Sequence, residues 1–241
     1  MKITLLEIKT DKRKCINKDF MGGYGWAFNA GSSFRADLIN KVKKWGENLP
    51  IVSLGYLASI FHNNGHSVEY AVNKVPNSDV VIIPSSMVDY KHEIDWACKV
   101  RKAGAKVGFI GPFSSAMSEL FLEYSDFVIG GEPEEVAMKI TDEWIPEGFI
   151  ESNPVKDLDS LPFPKWDIFD GSKYSYVPAI KETPFLPILS SRGCSFECSY
   201  CPYKVNYTWR ERSSENVLAE IDNLVNGFRI RGMLFRDPII S

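Results

Sequence analysis

The chain has 241 residues and a formal net charge of −3, and 44% of its residues are hydrophobic. That length allows one large domain or two modest ones, the apolar share suffices for a soluble core, and the lack of a basic excess excludes an overall nucleic-acid footprint. No run reaches the roughly 18 apolar residues of a membrane-spanning helix. The start "MKITLLEIKTDKRK" turns to charge after a few apolar residues, which predicts a first strand rather than a signal peptide. A cytoplasmic protein with reduced thiols is therefore expected.

In chain order, 2–8 reads as a short apolar strand, followed by a long polar, glycine-rich connection over 9–50. Helical spacing of Ile51, Leu54, Leu57, Ala58 and Phe61 predicts a helix over 51–65 ending on Asn-Gly. A strand at 66–72, a buried strand at 79–86, a helix at 88–104 and a strand at 105–112 come next, then a helix at 114–125, a strand at 126–134 and a helix at 133–144. Alternation of this kind, with short continuously apolar strands, predicts a doubly wound α/β domain of about five parallel strands over residues 1–150. Ligands bind such sheets outside the carboxyl ends of the strands. Small residues gather there, among them Ser85, Ser86, Gly111, Ser114 and Gly130, and they let a large flat ligand approach the backbone. Tight strand-to-helix turns explain the same residues equally well.

Residues 151–184 are rich in proline and turn formers and read as a connector packed through Phe163, Trp166 and Phe169. A second unit follows over 185–241: a strand at 185–191, the stretch "RGCSFECSYCPY", a helix over 213–228 with Ser213 as its cap, and a strand at 231–240. This is a βαβ unit with Cys194, Cys198 and Cys201 at the carboxyl end of its first strand. Three thiols are one short of a closed tetrahedral zinc site, and His62, His66 and His92 all lie in the other domain. Soft thiolate sets favour iron–sulfur clusters, and a four-iron cluster on three cysteines leaves one iron open.

The spacing C-x3-C-x2-C, with Tyr200 before the third cysteine, resembles the signature of the radical S-adenosylmethionine (radical SAM) enzymes. In that family the open iron chelates the amino and carboxylate groups of S-adenosylmethionine, and an electron from the [4Fe-4S] cluster cleaves the sulfonium. The resemblance puts Tyr200 near the adenine. The upstream α/β domain, the connector with "LPFPKWD" and the later "WRERSSENVLAEI" are similar to cobalamin-binding radical SAM proteins, which include methyltransferases. The implied fold is a Rossmann-type cobalamin-binding domain followed by the first βαβ unit of a radical SAM βα barrel. The implied cofactors are a [4Fe-4S] cluster, S-adenosylmethionine and cobalamin, the last on Ser85, Ser86, Gly111, Ser114 and Gly130. The implied partners are a small-molecule or lipid-like substrate and an electron donor such as a flavodoxin or ferredoxin.

Two features depart from the pattern. The D-x-H-x-x-G motif, whose histidine ligates cobalt in many cobalamin enzymes, is missing, so cobalamin is expected without a protein histidine; His66 reads as structural. From residue 185 only 57 residues follow (241 − 184), against about 250 for a closed βα barrel, so the sequence reads as a fragment cut after the second barrel strand, with its second unit loosely held. The family's glycine-glutamate motif is expected on that strand, where "MLFRDPI" offers Asp237, read here as a strand-end turn residue. Cys98 reads as a buried small residue and Cys15 as a loop thiol. Arg210 and Arg212 face either a substrate anion or solvent, and "GGYGWAF" (22–28) either covers the corrin or is a free loop. Two other functions stay open: a non-catalytic corrinoid- or nucleotide-binding module, and a zinc-stabilised interaction protein.

Overall fold

The computed structural model describes residues 1–10, 18–19, 30–177, 179–196, 198–199 and 208–238. Six short strands form one parallel sheet: β1 (Lys2–Glu7), β2 (Ser67–Val72), β3 (Val80–Pro84), β4 (Lys106–Ile110), β5 (Phe127–Gly131) and β6 (Gly148–Ser152), in the order β2-β1-β3-β4-β5-β6. The order reverses beside β1, where β1 pairs with both β2 and β3. This is the doubly wound α/β fold that the alternating pattern predicts. The sixth strand was not foreseen. It is an edge strand with Phe149 and Glu151 exposed, so it lacks the continuous apolar run that marks the central strands.

Period-two alternation sorts the strand side chains onto two faces. One face carries Leu6, Val81, Ile83, Val107, Phe109 and Val128 against α3 (Tyr90–Lys102) and α5 (Ser118–Leu122). The other carries Ile3, Leu5, Val80, Ile82, Ile110, Phe127 and Ile129 against α2 (Val52–Asn63). Phe127 lies where a side chain on Gly108 would stand: a Cβ there would sit 1.9 Å from its ring. Helix α2 begins without a side-chain cap of its own, and Asp19 supplies one by accepting from the Val52 N–H at 2.6 Å.

The second face also packs against the connector and the second unit. Leu158, Leu161, Trp166, Phe169 and Tyr174 of the connector join it, as do Phe185, Leu186, Ile188 and Leu189 and, from further on, Leu224 and Ile230. The connector lies on α2 at Gly55, whose carbonyl accepts from the Lys165 N–H at 3.0 Å and whose added Cβ would strike Pro164. The second unit comprises β7 (Phe185–Ile188) and β8 (Gly232–Phe235), paired in parallel and linked by α7 (Ser214–Asp222), with Ser213 capping that helix as read.

Several element boundaries differ from expectation. Residues 9–50 contain α1 (Phe34–Gly46), capped by Ser33, whose hydroxyl accepts from Ala36 N–H. Its apolar residues Phe34, Leu38 and Val42 recur every four positions, a pattern obscured by the polar residues between them, and they are 86%, 58% and 59% exposed. The helix expected over 114–125 is two short ones, α4 (Pro112–Ala116) and α5, and that expected over 133–144 shrinks to α6 (Glu134–Ala137), followed by a turn closed between Thr141 and Trp144. The helix over 213–228 changes after Asp222 into a π-helical segment, Asn223–Gly227. Among the described residues, no helix is long and apolar enough to cross a membrane.

Candidate functional site

The cysteine loop leaves the carboxyl end of β7 through Ser190, Ser191 and Arg192. Gly193 then takes φ +81°, a left-handed conformation that turns the chain into Cys194. Cys194 is half-buried, Cys198 is exposed, and both are free. The Phe196 N–H donates to Cys194 Sγ at 3.4 Å. Tyr200, Cys201 and Cys15 lie outside the described residues, and so does the 22–28 stretch. Among the described residues, no three His, Cys, Asp or Glu side chains gather around one metal position. Two soft thiol donors on one loop, one of them with an amide on its sulfur, fit a thiolate-bound metal centre in donor chemistry.

The loop is closed at its neck. Ser191 and Arg192 pair antiparallel with Glu211 and Arg210 on its far side, and the Arg212 N–H donates to the Ser190 carbonyl at 2.9 Å. Four carboxylates converge on this neck. Asp237, just past β8, accepts at Oδ1 from the Ser190 N–H (2.9 Å), the Ser190 hydroxyl (2.9 Å), the Ser191 hydroxyl (2.7 Å) and the Ser191 N–H. Glu132, from the turn after β5, accepts from Arg192 Nη1 at 3.2 Å, Arg210 Nη1 at 3.0 Å and Arg210 Nη2. Glu134 lies 2.9 Å from Arg192 Nη1. Glu220 of α7 holds Arg212, which also donates to the Leu189 carbonyl at 2.7 Å and Asn216 Oδ1 at 2.7 Å.

Burial sets the electrostatics here. Burial alone would raise the Glu132 carboxyl, but the hydrogen bond from Arg210 and the charges of Arg192 and Arg210 outweigh it, and the group is held below the ordinary 4.5. Burial raises Glu134, offset in part by Arg192, and Glu220 in the same way, offset by Arg212. The Arg192 guanidinium lies 4.8 Å from the ring centre of Tyr56, whose phenol burial pushes up to about 12. Arg210 and Arg212 are thus each paired with an internal carboxylate, and Arg210 also lines an open cavity beside Val155, Lys156 and Thr208. Asp237 is more than a turn residue, since it ties the ends of two neighbouring strands together.

Sequence reasoning missed Glu132, Glu134 and this use of Asp237. A signal for the first two was present: "GGEPEE" puts three carboxylates after an apolar strand, and two arginines flank the cysteine loop.

The residues expected at the carboxyl edge of the sheet are partly brought together. Ser85 Oγ accepts from the Ser114 N–H at 3.1 Å, and Ser114 Oγ donates to the Gly111 carbonyl at 3.1 Å. Gly111 has φ +116°, and a Cβ there would lie 3.1 Å from the Ser85 carbonyl. Ser86 turns instead to Glu93, which accepts from its N–H at 3.0 Å. Glu93 is fully buried and ion-paired with Lys18 at 2.7 Å, and burial raises its carboxyl against the pull of that lysine. Lys18 also donates to the Ile8 carbonyl, so this network lies across the ends of β1 and β3. Gly130 stands inside β5 against the Phe149 ring; the glycine at the strand end with positive φ (+80°) is Gly131. No imidazole ligand is needed to explain His66, which is buried with Nε2 3.0 Å from the Ile140 carbonyl. Cys98 is half-buried rather than buried. At this edge the small side chains bond one another, and the space beside Gly111 is taken by the Ser85 backbone.

No protein-family model matches the chain. It is 25% identical over 171 residues to the uncharacterized methyltransferase sll1242 of a Synechocystis species, an overlap of 68% of this chain and 30% of that protein. It is 29% identical over 89 residues to the uncharacterized methyltransferase PH0819 of Pyrococcus horikoshii, covering 36% of this chain and 18% of the relative. Among solved structures it resembles the radical S-adenosylmethionine methyltransferase TsrM of Kitasatospora setae. The form with cobalamin and a [4Fe-4S] cluster matches with a TM-score of 0.54 at 14% identity, over 99% of this chain and 49% of that one. The form with tryptophan and a SAM analogue matches with a TM-score of 0.53 at 14% identity, over 99% and 48%. The fold is shared over nearly all of this chain, which spans about half of the solved protein and less than a third of either curated relative.

Proposed function

We propose that the chain carries the cofactor-binding part of a radical SAM methyltransferase of the cobalamin-dependent kind. The observation that carries the reading is the C-x3-C-x2-C loop set on the carboxyl end of β7, its neck held against a doubly wound sheet by buried ion pairs. Support comes from the methyltransferase names of both curated relatives and from a fold shared with a protein solved with cobalamin and a [4Fe-4S] cluster. Cys194, Cys198 and Cys201 would hold the cluster by their thiolates, and Tyr200 would lie beside the adenine of S-adenosylmethionine. Ser85, Ser86, Gly111, Ser114 and Gly130 would form the cobalamin edge. When bound, the cluster supplies the electron for reductive cleavage of S-adenosylmethionine and the cobalamin a methyl carrier. The chain's own contribution is positional: Asp237 fixes Ser190 and Ser191, and Gly193 turns the backbone so that the first cysteine projects from a rigid strand end. The substrate is a small molecule or lipid-like compound, and a flavodoxin- or ferredoxin-type protein is the electron donor in a cytoplasmic setting.

The test is electron paramagnetic resonance of the anaerobically reconstituted, reduced chain, with equilibrium dialysis against hydroxocobalamin in parallel. S-adenosylmethionine should shift the cluster signal, and cobalamin should be retained. A cluster signal indifferent to S-adenosylmethionine would reject the radical SAM reading, and absence of cobalamin binding by the folded chain would reject the cobalamin half.

A further inference from the structure

The neck of the cysteine loop contains an arrangement that two strands alone do not sustain. Arg192 and Arg210 are direct partners across the antiparallel pair. Like charges placed directly opposite each other destabilise such a pair, and here both side chains are largely withdrawn from water, at 4% and 11% exposure. One carboxylate answers both. Glu132, itself 1% exposed, accepts from Arg192 through Oε2 and from Arg210 through both oxygens, and Oε2 also takes the Val155 N–H at 3.3 Å. Among the described residues Glu134 is ion-paired with Arg192 alone, and its two oxygens have no hydrogen-bond partner of good geometry. The cluster sets two arginines against two glutamates, so their formal charges balance. Glu132 is not part of the cysteine unit. It comes from the carboxyl end of β5, delivered by the positive φ of Gly131, where a Cβ would strike the Ser152 carbonyl at 2.6 Å.

We infer that Glu132 is a positioning residue: as the shared counter-ion of Arg192 and Arg210, it closes the neck of the cysteine loop from the sheet domain and so couples the end of β5 to the placement of Cys194. The consequence for chemistry rests on the reading that this loop holds the cluster; the closure itself does not. Without the Glu132 charge, two facing guanidiniums share a buried site with one poorly placed carboxylate, and the cheapest relief is to part the strands. Removing one of the two arginines at the same time restores neutrality and relieves the repulsion.

Hydrogen exchange on the full metal-free chain tests this directly, because it needs no bound group. In Glu132→Gln, peptides spanning 190–192 and 210–212 should exchange at least about tenfold faster, since breaking a buried ion pair from one side leaves an uncompensated charge, while β1, β3 and β4 keep their protection. Glu132→Asp, which keeps the charge, should lose less. The double variant Glu132→Gln with Arg210→Gln should recover most of the protection, and it should fold even if Glu132→Gln alone does not. Wild-type exchange in Glu132→Gln, or a double variant as labile as the single one, would overturn the inference. After reconstitution, iron content and the resonance signal of the cluster should fall in Glu132→Gln and return in the double variant; full iron with an unaltered signal in the single variant would also overturn the coupling. If the wild-type chain takes up no iron, the cluster reading fails, and the exchange result still decides the neck.

Discussion

The sheet domain and the neck of the cysteine loop are held together by different physics. The central strands β1, β3, β4 and β5 are apolar on both faces, and their stability is spread over many fully buried side chains, each worth about 1.5–3 kcal/mol. The neck has two short paired segments and is held by Glu132, Asp237 and Glu220, carboxylates reaching it from three other elements. A dispersed apolar core shares its stability among many contacts, whereas a buried charge cluster depends on the balance among a few members.

The largest effect that separates the two regions should come from Phe127→Ala. This ring fills the space left by Gly108 on the face shared by sheet, connector and β7, and truncation should cost about 3–5 kcal/mol. Urea unfolding followed at both regions should show them lost in one transition; loss of the cysteine unit alone would mean that the two do not share a core.

Asp237→Ala should act next, and locally. It removes one acceptor serving four donors of Ser190 and Ser191, so a loss of about 2–3 kcal/mol is expected at the neck. Exchange should accelerate over 190–192 while the far-ultraviolet circular dichroism stays that of the wild type. Uniform destabilisation instead would assign Asp237 to the general core.

The pH dependence should differ between the regions too. A carboxyl depressed in the folded state contributes stability that is present above its unfolded value and lost as pH falls through its folded one. Glu132 is such a group, so neck protection should hold from neutral pH down to 4.5 and decline below it. Glu134, raised by burial, works in the opposite sense: its contribution is complete below 4.5 and lost as pH rises through its folded value. Exchange measured against pH should therefore show an acid loss that survives Glu134→Gln and disappears in Glu132→Gln.

The smallest effect belongs to α1. Leu38→Ser and Val42→Ser lie on its exposed stripe and should change stability by no more than about 0.5 kcal/mol in thermal unfolding. A much larger loss would show that this stripe is covered in solution.

The same contrast explains how much was legible beforehand. The parallel sheet could be read because burial on both faces writes itself as consecutive apolar residues such as "VVIIP". The cysteine motif stood out because cysteines are few in the chain and these three are closely spaced. Strand β6 and helix α1 were missed because an edge strand and an exposed helix carry weak apolar signals. Glu132, Glu134, Arg192 and Arg210 escaped for a different reason. Their partners lie 60 and 78 positions apart in the pairs Glu132–Arg192 and Glu132–Arg210, and a charged residue in sequence looks the same whether it is solvated or buried in a pair. Ser85 and Ser86 follow the end of β3 as read, whereas Ser114 lies within α4, and sequence did not reveal that Ser86 belongs to Glu93 and Lys18 rather than to its neighbours.

The central claim is that the thiols of the neck-bound loop hold an iron–sulfur cluster. Anaerobic reconstitution with iron and sulfide, followed by metal and acid-labile sulfide analysis of the wild type and of Cys194→Ala, Cys198→Ala and Cys201→Ala, tests it most directly. The account predicts about four irons and four sulfides per wild-type chain and loss of both in each variant. Stoichiometric zinc without iron, or any single variant that retains the full iron and sulfide content, would contradict it.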